Sequence, residues 1–226
     1  MQVQPISEHI REHKSILAEV EKKALVWMAR RLPAWIHSDH LTLLGFLAMI
    51  GAGTAFWASR WHKPALLLVV LALALNWFGD SLDGTLARVR NCQRPRYGFY
   101  VDHVLDIAGA LFLLVGLSLS GCISPLIAAG LFAGFAMVSA EIFLATCVHG
   151  VFRLSNLGFG GTELRIVLAI GALYLWRTPS VRIPGLGSYL LFDIGGLVAI
   201  GGLMTAFVLS AVKNTRILYR AEPLTR

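Results

Sequence analysis

Four aspartates lie within 27 residues that span two apolar runs and the basic loop between them: Asp80, Asp83, Asp102 and Asp106, in GDSLDGTLARVRNCQRPRYGFYVDHVLD. A carboxylate in an apolar helix is costly and marks a functional site by default. Asp80 and Asp83 stand three apart and Asp102 and Asp106 four apart, so each pair shares one helix face. The basic loop between them is short, which predicts two antiparallel neighbouring helices and four converging carboxylates. Divalent metal relieves the repulsion of such a group, and hard oxygen ligands suit Mg²⁺ or Mn²⁺. With four carboxylates, two ions about 3.5–4 Å apart is the arrangement that serves displacement at phosphorus. Gly84 and Ala87 each follow an aspartate by four residues and sit on the carboxylate face. Small residues there either let helices pack closely or leave room for a bulky ligand; beside the carboxylates the second reading is favoured. Arg88 either pairs with an aspartate or holds a phosphate with two prongs.

The elements that carry these residues follow from composition. The chain has 226 residues, 56% hydrophobic and 15% charged, with a mean hydropathy of +0.67. Soluble domains carry about 25% charged and roughly 45–50% apolar residues, so a soluble globular domain, a disordered chain and a disulfide-stapled module are excluded. The expected class is an all-α membrane protein. Apolar runs at 41–59, 65–89, 100–120, 123–149, 164–176 with its flanks, and 189–212 predict a six-transmembrane-helix bundle, at about 20 residues per span. Residues 7–33 put Leu17, Val20, Ala24, Trp27 and Met28 at three- and four-residue spacing among lysines and arginines. That predicts an N-terminal interfacial amphipathic helix, ended by Pro33. The expected organisation is a juxtamembrane segment (1–39), a catalytic bundle (40–213) and a tail (214–226). No room is left for a separate soluble catalytic domain.

The net charge of +7 points to anionic lipid headgroups rather than nucleic acid, because the cations flank apolar runs. With the N-terminus inside, 16 of the 20 Lys and Arg fall on the cytoplasmic side and 4 on the other. The positive-inside rule then places both termini and the active site in the cytoplasm. The expected location is a bacterial inner membrane. Cys92, Cys122 and Cys147 have no ligand spacing and read as plain thiols.

Asp80-x2-Asp83-Gly84-x2-Ala87-Arg88, nine residues, then Gly98-x3-Asp102-x3-Asp106 resembles the signature of the CDP-alcohol phosphotransferase family. The Arg-to-Gly gap there is usually eight residues, so this loop carries one more. The resemblance implies a membrane transferase of phospholipid synthesis that moves a substituted phosphate group from a CDP-alcohol to an acceptor alcohol and releases CMP. It implies that Asp80, Asp83 and Asp102 hold two Mg²⁺ or Mn²⁺ ions, and that Asp106 shares them and acts as general base. Gly84 and Ala87 would make space for the nucleotide, with Arg88 and Gly98 in the same CDP-alcohol-binding set. The partners expected are the CDP-alcohol, the acceptor alcohol, membrane lipids and a second copy in a homodimer.

Weaker signals lie outside the motif. Glu163 and Arg165, in GGTELR after a glycine-rich loop, either seat a phosphate at a helix start or merely cap it; Arg153 joins them as a candidate acceptor contact. The same segment looks like a stretch found in family members that use aminoalcohol headgroups. Glu141 is either functional or paired with Arg153 or Arg165. His103 either supports Asp102 or is simply packed. Asp193 reads as solvated or locally bonded, and capping explains His40 and Thr42. The donor CDP carries either diacylglycerol, which the short chain favours, or an aminoalcohol. A cation transporter is the rival class, but no inverted repeat or broken helix marks a midplane site.

Overall fold

A computed structural model describes residues 18–149, 161–183 and 187–222. Its helices are α1 (Ala18–Ala29), α2 (Ser38–Ala58), α3 (Ala65–Val89), α4 (Pro95–Leu119), α5 (Pro125–His149), α6 (Gly161–Leu175) and α7 (Leu191–Ala221). Five of them, α2 to α5 and α7, are long and apolar enough to cross a bilayer. The chain is an all-α membrane protein.

The expected boundaries shift where local chemistry intervenes. Helix α6 has 15 residues, about 22 Å at 1.5 Å per residue, short of the roughly 30 Å hydrocarbon core. Between the fifth and sixth apolar runs stand two short antiparallel strands, β1 (Ser180–Ile183) and β2 (Gly187–Leu190), with Ser180 opposite Leu190, and β2 runs into the expected start of the sixth. Helix α7 then begins at Leu191 and runs 31 residues to Ala221, past the expected end of its apolar run. Helix α4 starts five residues earlier than its apolar run because Pro95 occupies the first helical turn, where its missing N–H costs nothing.

The loop with the extra residue has a defined path. Asn91 adopts a left-handed φ of 52°. Its N–H donates to Arg88 O at 3.2 Å, and the Cys92 N–H donates to Ala87 O at 3.0 Å. That pair of hydrogen bonds closes α3 with a Schellman cap, and asparagine tolerates the required conformation. The turn leaves the aspartate pairs three and four residues apart on continuous helix at either side.

Helix α2 is the hub. A Cβ on Gly79 would meet Leu41 O at 2.5 Å and Gly45 N at 2.6 Å, and one on Gly116 would meet Gly53 O at 2.0 Å. Backbone lies against backbone at both crossings, as small residues permit in membrane bundles. So α3 and α4 pack on opposite parts of α2 rather than closely on each other. They are not the simple adjacent hairpin expected from their short loop; the cleft between them is floored by α2. Phe56, Val69, Leu73, Leu117 and Ile123 fill the core beyond that cleft. On the far side α5 and α7 run together. Asp193, expected to be solvated or locally bonded, accepts from the Ser124 N–H and hydroxyl, each at 2.6 Å, and so caps the start of α5.

Helix α1 lies on α3. The expected helix over 7–33 is described only as Ala18–Ala29; the residues before it are outside the described set. Leu25 and Ala29 are buried with Leu41, Leu82 and Leu86, while Trp27 is 57% exposed and Ala24 is exposed too. Of the expected stripe, Met28 packs against this cluster while Ala24 and Trp27 face outward, and the side chains of Leu17 and Val20 are outside the described set. Arg90, at the end of α3, donates to Leu32 O at 2.8 Å, to Pro33 O at 2.9 Å and to Ile36 O. That clamp fixes the turn between α1 and α2 against α3.

Candidate active site

Asp80 projects from α3, and Asp102 and Asp106 from α4, into the cleft over α2. Each can offer one oxygen such that all three atoms lie within 4.8 Å of one another. Thr42, Gly45, Phe46 and Met49 of α2, Asn76 of α3 and Leu105 of α4 complete the lining. Asp106 is the exposed member of the trio. Three hard oxygen donors at this separation are the donor set of Mg²⁺ or Mn²⁺, so the residues present fit a divalent metal.

Asp83 has another partner. Its carboxylate accepts from the Thr42 hydroxyl at 2.6 Å, and its backbone carbonyl accepts from the Ser38 hydroxyl at 2.8 Å. Helix capping does not account for Thr42, which stands at the floor of the cleft and orients a motif aspartate.

Asp80 is held from a distant part of the chain. Arg165 Nη2 donates to Asp80 Oδ2 at 2.6 Å, and Arg165 Nε donates to Asn76 Oδ1 at 2.6 Å. Buried Asn76 uses its other end as well, with Nδ2 donating to Gly45 O at 2.9 Å. The asparagine is thus a fixed post between α2 and the guanidinium, and the ion pair is mostly shielded from solvent, at 18% and 24% side-chain exposure. The sequence leaves Arg165 either at a phosphate seat or at a plain helix start; the structure places it on the acid cluster.

The glycines of the motif differ from those of the helix crossings. Among the described residues, a Cβ on Gly84 would meet only Arg88 Nη1, at an ordinary 3.4 Å, and one on Gly98 would meet nothing within 4 Å. Close helix packing does not explain either. Arg88 is exposed and donates to Thr85 Oγ1 at 2.9 Å. Ala87, half-buried, gives its carbonyl to the cap of α3.

The remaining candidates divide. Glu163 is half-buried in the first turn of α6. Arg153 lies outside the described residues. Glu141 accepts from Asn214 Nδ2 at 2.7 Å, tying α5 to α7, and the arginine expected beside it, Arg165, is on Asp80 instead. The His103 ring packs on Phe99 and Phe143, at centroid distances of 4.3 and 5.0 Å. Its Nδ1 is 2.7 Å from Phe99 O but 3.7 Å from Asp102. The ring is packed and also lies beside the Asp102 carboxylate.

The acid cluster thus joins two helices at a place that fits a divalent metal, with open space over Gly84 and Gly98. A family model described as CDP-alcohol phosphatidyltransferase matches residues 35–211, which spans every element of the cleft and most of the 226 residues. The chain therefore belongs to the CDP-alcohol phosphatidyltransferase family, whose members are membrane enzymes that transfer phosphorus-containing groups from CDP-alcohols to alcohols.

Proposed function

We propose that the protein transfers a substituted phosphate group to an acceptor alcohol with release of CMP, and that CDP-diacylglycerol is the favoured donor. The observation that carries this reading is the meeting of Asp80, Asp102 and Asp106 at the floor of one cleft. Asp106, the exposed member, takes the proton of the acceptor hydroxyl. The acceptor oxygen bonds to the donor phosphorus that bears the alcohol, and the bond from that phosphorus to the CMP oxygen breaks. Asp80, Asp102 and Asp106, with Asp83 beside them, would hold two divalent ions, which neutralise the pyrophosphate and the departing oxygen when bound. Arg165 and Asn76 keep Asp80 in one orientation, and Thr42 does the same for Asp83. Gly84, Ala87 and Gly98 leave the nucleotide room, with Arg88 at its edge.

Purified protein given labelled CDP-diacylglycerol or CDP-ethanolamine, with a panel of acceptors, tests this directly. CMP release should depend on divalent metal: excess chelator abolishes it and Mg²⁺ or Mn²⁺ restores it. Turnover in excess chelator would refute the metal reading.

The cation bias supports a cytoplasmic site. Exposed Cys92 supplies a native probe in the α3–α4 loop. With Cys122 and Cys147 replaced by serine, an impermeant maleimide should label Cys92 only from the cytoplasmic face. The same protein carrying Cys92→Ser and His62→Cys should label only from the opposite face. Reversed labelling would overturn the orientation.

A further inference from the structure

Glu21 lies in α1, ahead of the segment matched by the family model, which begins at residue 35. One oxygen of its carboxylate ties three helices together. Trp77 Nε1 donates to Glu21 Oε1 at 2.8 Å, the Thr162 hydroxyl donates to the same atom at 2.8 Å, and the Ser81 hydroxyl reaches it at 3.5 Å. Trp77 and Ser81 each directly follow a residue that meets Arg165, namely Asn76 and Asp80. Thr162 is three residues before Arg165, on the same face of α6. The carboxylate therefore pins the first turn of α6 to α3 one turn away from the guanidinium that holds Asp80. The four N-terminal N–H groups of a helix have no partner within the helix, so its first turn is the part most dependent on such outside contacts.

We infer that Glu21 is a positioning residue for the acid cluster: through Thr162 it fixes the start of α6, and so sets Arg165 on Asp80 and Asn76. This rests on the reading of the cluster as a divalent-metal site. Among the described residues the three groups that donate to Glu21 are neutral, which calls for an acceptor oxygen at this place rather than a negative charge. The conservative changes are then Glu21→Gln, which keeps an acceptor oxygen, and Thr162→Ser, which keeps the hydroxyl. Glu21→Leu and Thr162→Val remove the tie, and Thr162→Val does so with almost no change of shape.

The test is titration of the purified full-length protein with Mn²⁺, the free ion followed by its electron paramagnetic resonance signal, with no nucleotide present. Thr162→Val and Glu21→Leu should each weaken binding about tenfold, the low end of the effect of losing a group that orients a metal ligand. Thr162→Ser and Glu21→Gln should bind as wild type does, to within about twofold. In an Arg165→Gln background, Thr162→Val should have no further effect, because the two act through one contact. A tie that serves stability alone would leave Mn²⁺ affinity unchanged in both disrupting variants, or would add its effect to that of Arg165→Gln; either result overturns the inference. Wild-type protein that binds no Mn²⁺ overturns the metal reading itself and this inference with it.

Discussion

Asp106→Asn should lower CMP release by about 10²–10⁴-fold, the usual worth of a positioned general base, while the CDP-donor still binds in the presence of metal. The amide keeps the size of the carboxylate and one acceptor oxygen, but it cannot take a proton at neutral pH. Asp80, Asp83 and Asp102 remain in the variant, and Asp80 keeps its contact with Arg165. Asp80→Asn should behave differently. It removes a ligand charge and also leaves Arg165 without its anionic partner, so metal and donor affinity fall together. Equilibrium binding of the donor at fixed Mg²⁺, measured beside single-turnover CMP release, separates the two. If Asp106→Asn turns over at near the wild-type rate, the proton goes elsewhere. If both variants lose donor binding equally, the carboxylates form one cage without separate roles.

Gly116→Ala should be among the most damaging single methyl groups that the bundle can receive. The added Cβ would lie 2.0 Å from Gly53 O and 2.3 Å from Gly53 C, and both are backbone atoms of the hub helix. No side-chain rotation relieves that contact, so α4 must move away from α2 along its length. The expected cost is on the order of 4–5 kcal/mol, the range reserved for a defined structural insult. That corresponds to a fall in Tm of roughly 10–20 °C for a chain of this size. Gly201→Ala is the matched control, since nothing lies within 4 Å of its added Cβ and alanine favours the helix by about 0.5–1 kcal/mol. Gly84→Ala should leave Tm near wild type and act instead on donor affinity. Thermal unfolding in detergent followed by circular dichroism ranks the three; an unchanged Tm for Gly116→Ala would mean that α2 and α4 do not cross there.

The acids are legible in the sequence because a carboxylate in an apolar helix is too costly to serve packing alone, and because spacings of three and four residues fix their faces. Five of the six expected spans are legible through hydropathy, with starts shifted by a few residues at Pro95 and Leu191, while α6 is shorter than a span. The contacts that hold the acids in place are not. Arg165 reaches Asp80 across 85 residues of sequence, and neither a local pattern nor a charge count predicts such a contact. Thr42 is an ordinary residue near a helix start until the crossing of α2 and α3 brings it to Asp83. Gly45, Gly53, Gly79 and Gly116 resemble the other small residues of the chain, and only the packed structure separates those that meet backbone from those that meet open space. The packed stripe of α1 is hidden because apolar residues stand on more than one of its faces, and periodicity alone does not say which face packs. The short strands after α6 are equally hard to see, because four residues of alternation beside two prolines look like a loop.

The long sequence distances that close this site have a meaning in time. A ribosome adds about 5–20 residues per second, so Arg165 is made roughly 4–17 s after Asp80, and Thr162 roughly 7–28 s after Glu21. Helix α4 ends at Leu119, so α2, α3 and α4 are complete before Arg165 is made, and their glycine crossings can form without any later segment. The nascent chain thus carries a finished acid cleft into the membrane before its counter-cation has been synthesised. A chain arrested between α5 and α6 is a half-made enzyme whose anionic hollow still lacks its arginine. Such a species gains the most from any divalent ion at hand, and assembly of the newborn protein should therefore be more sensitive to metal supply than the stability of the finished one.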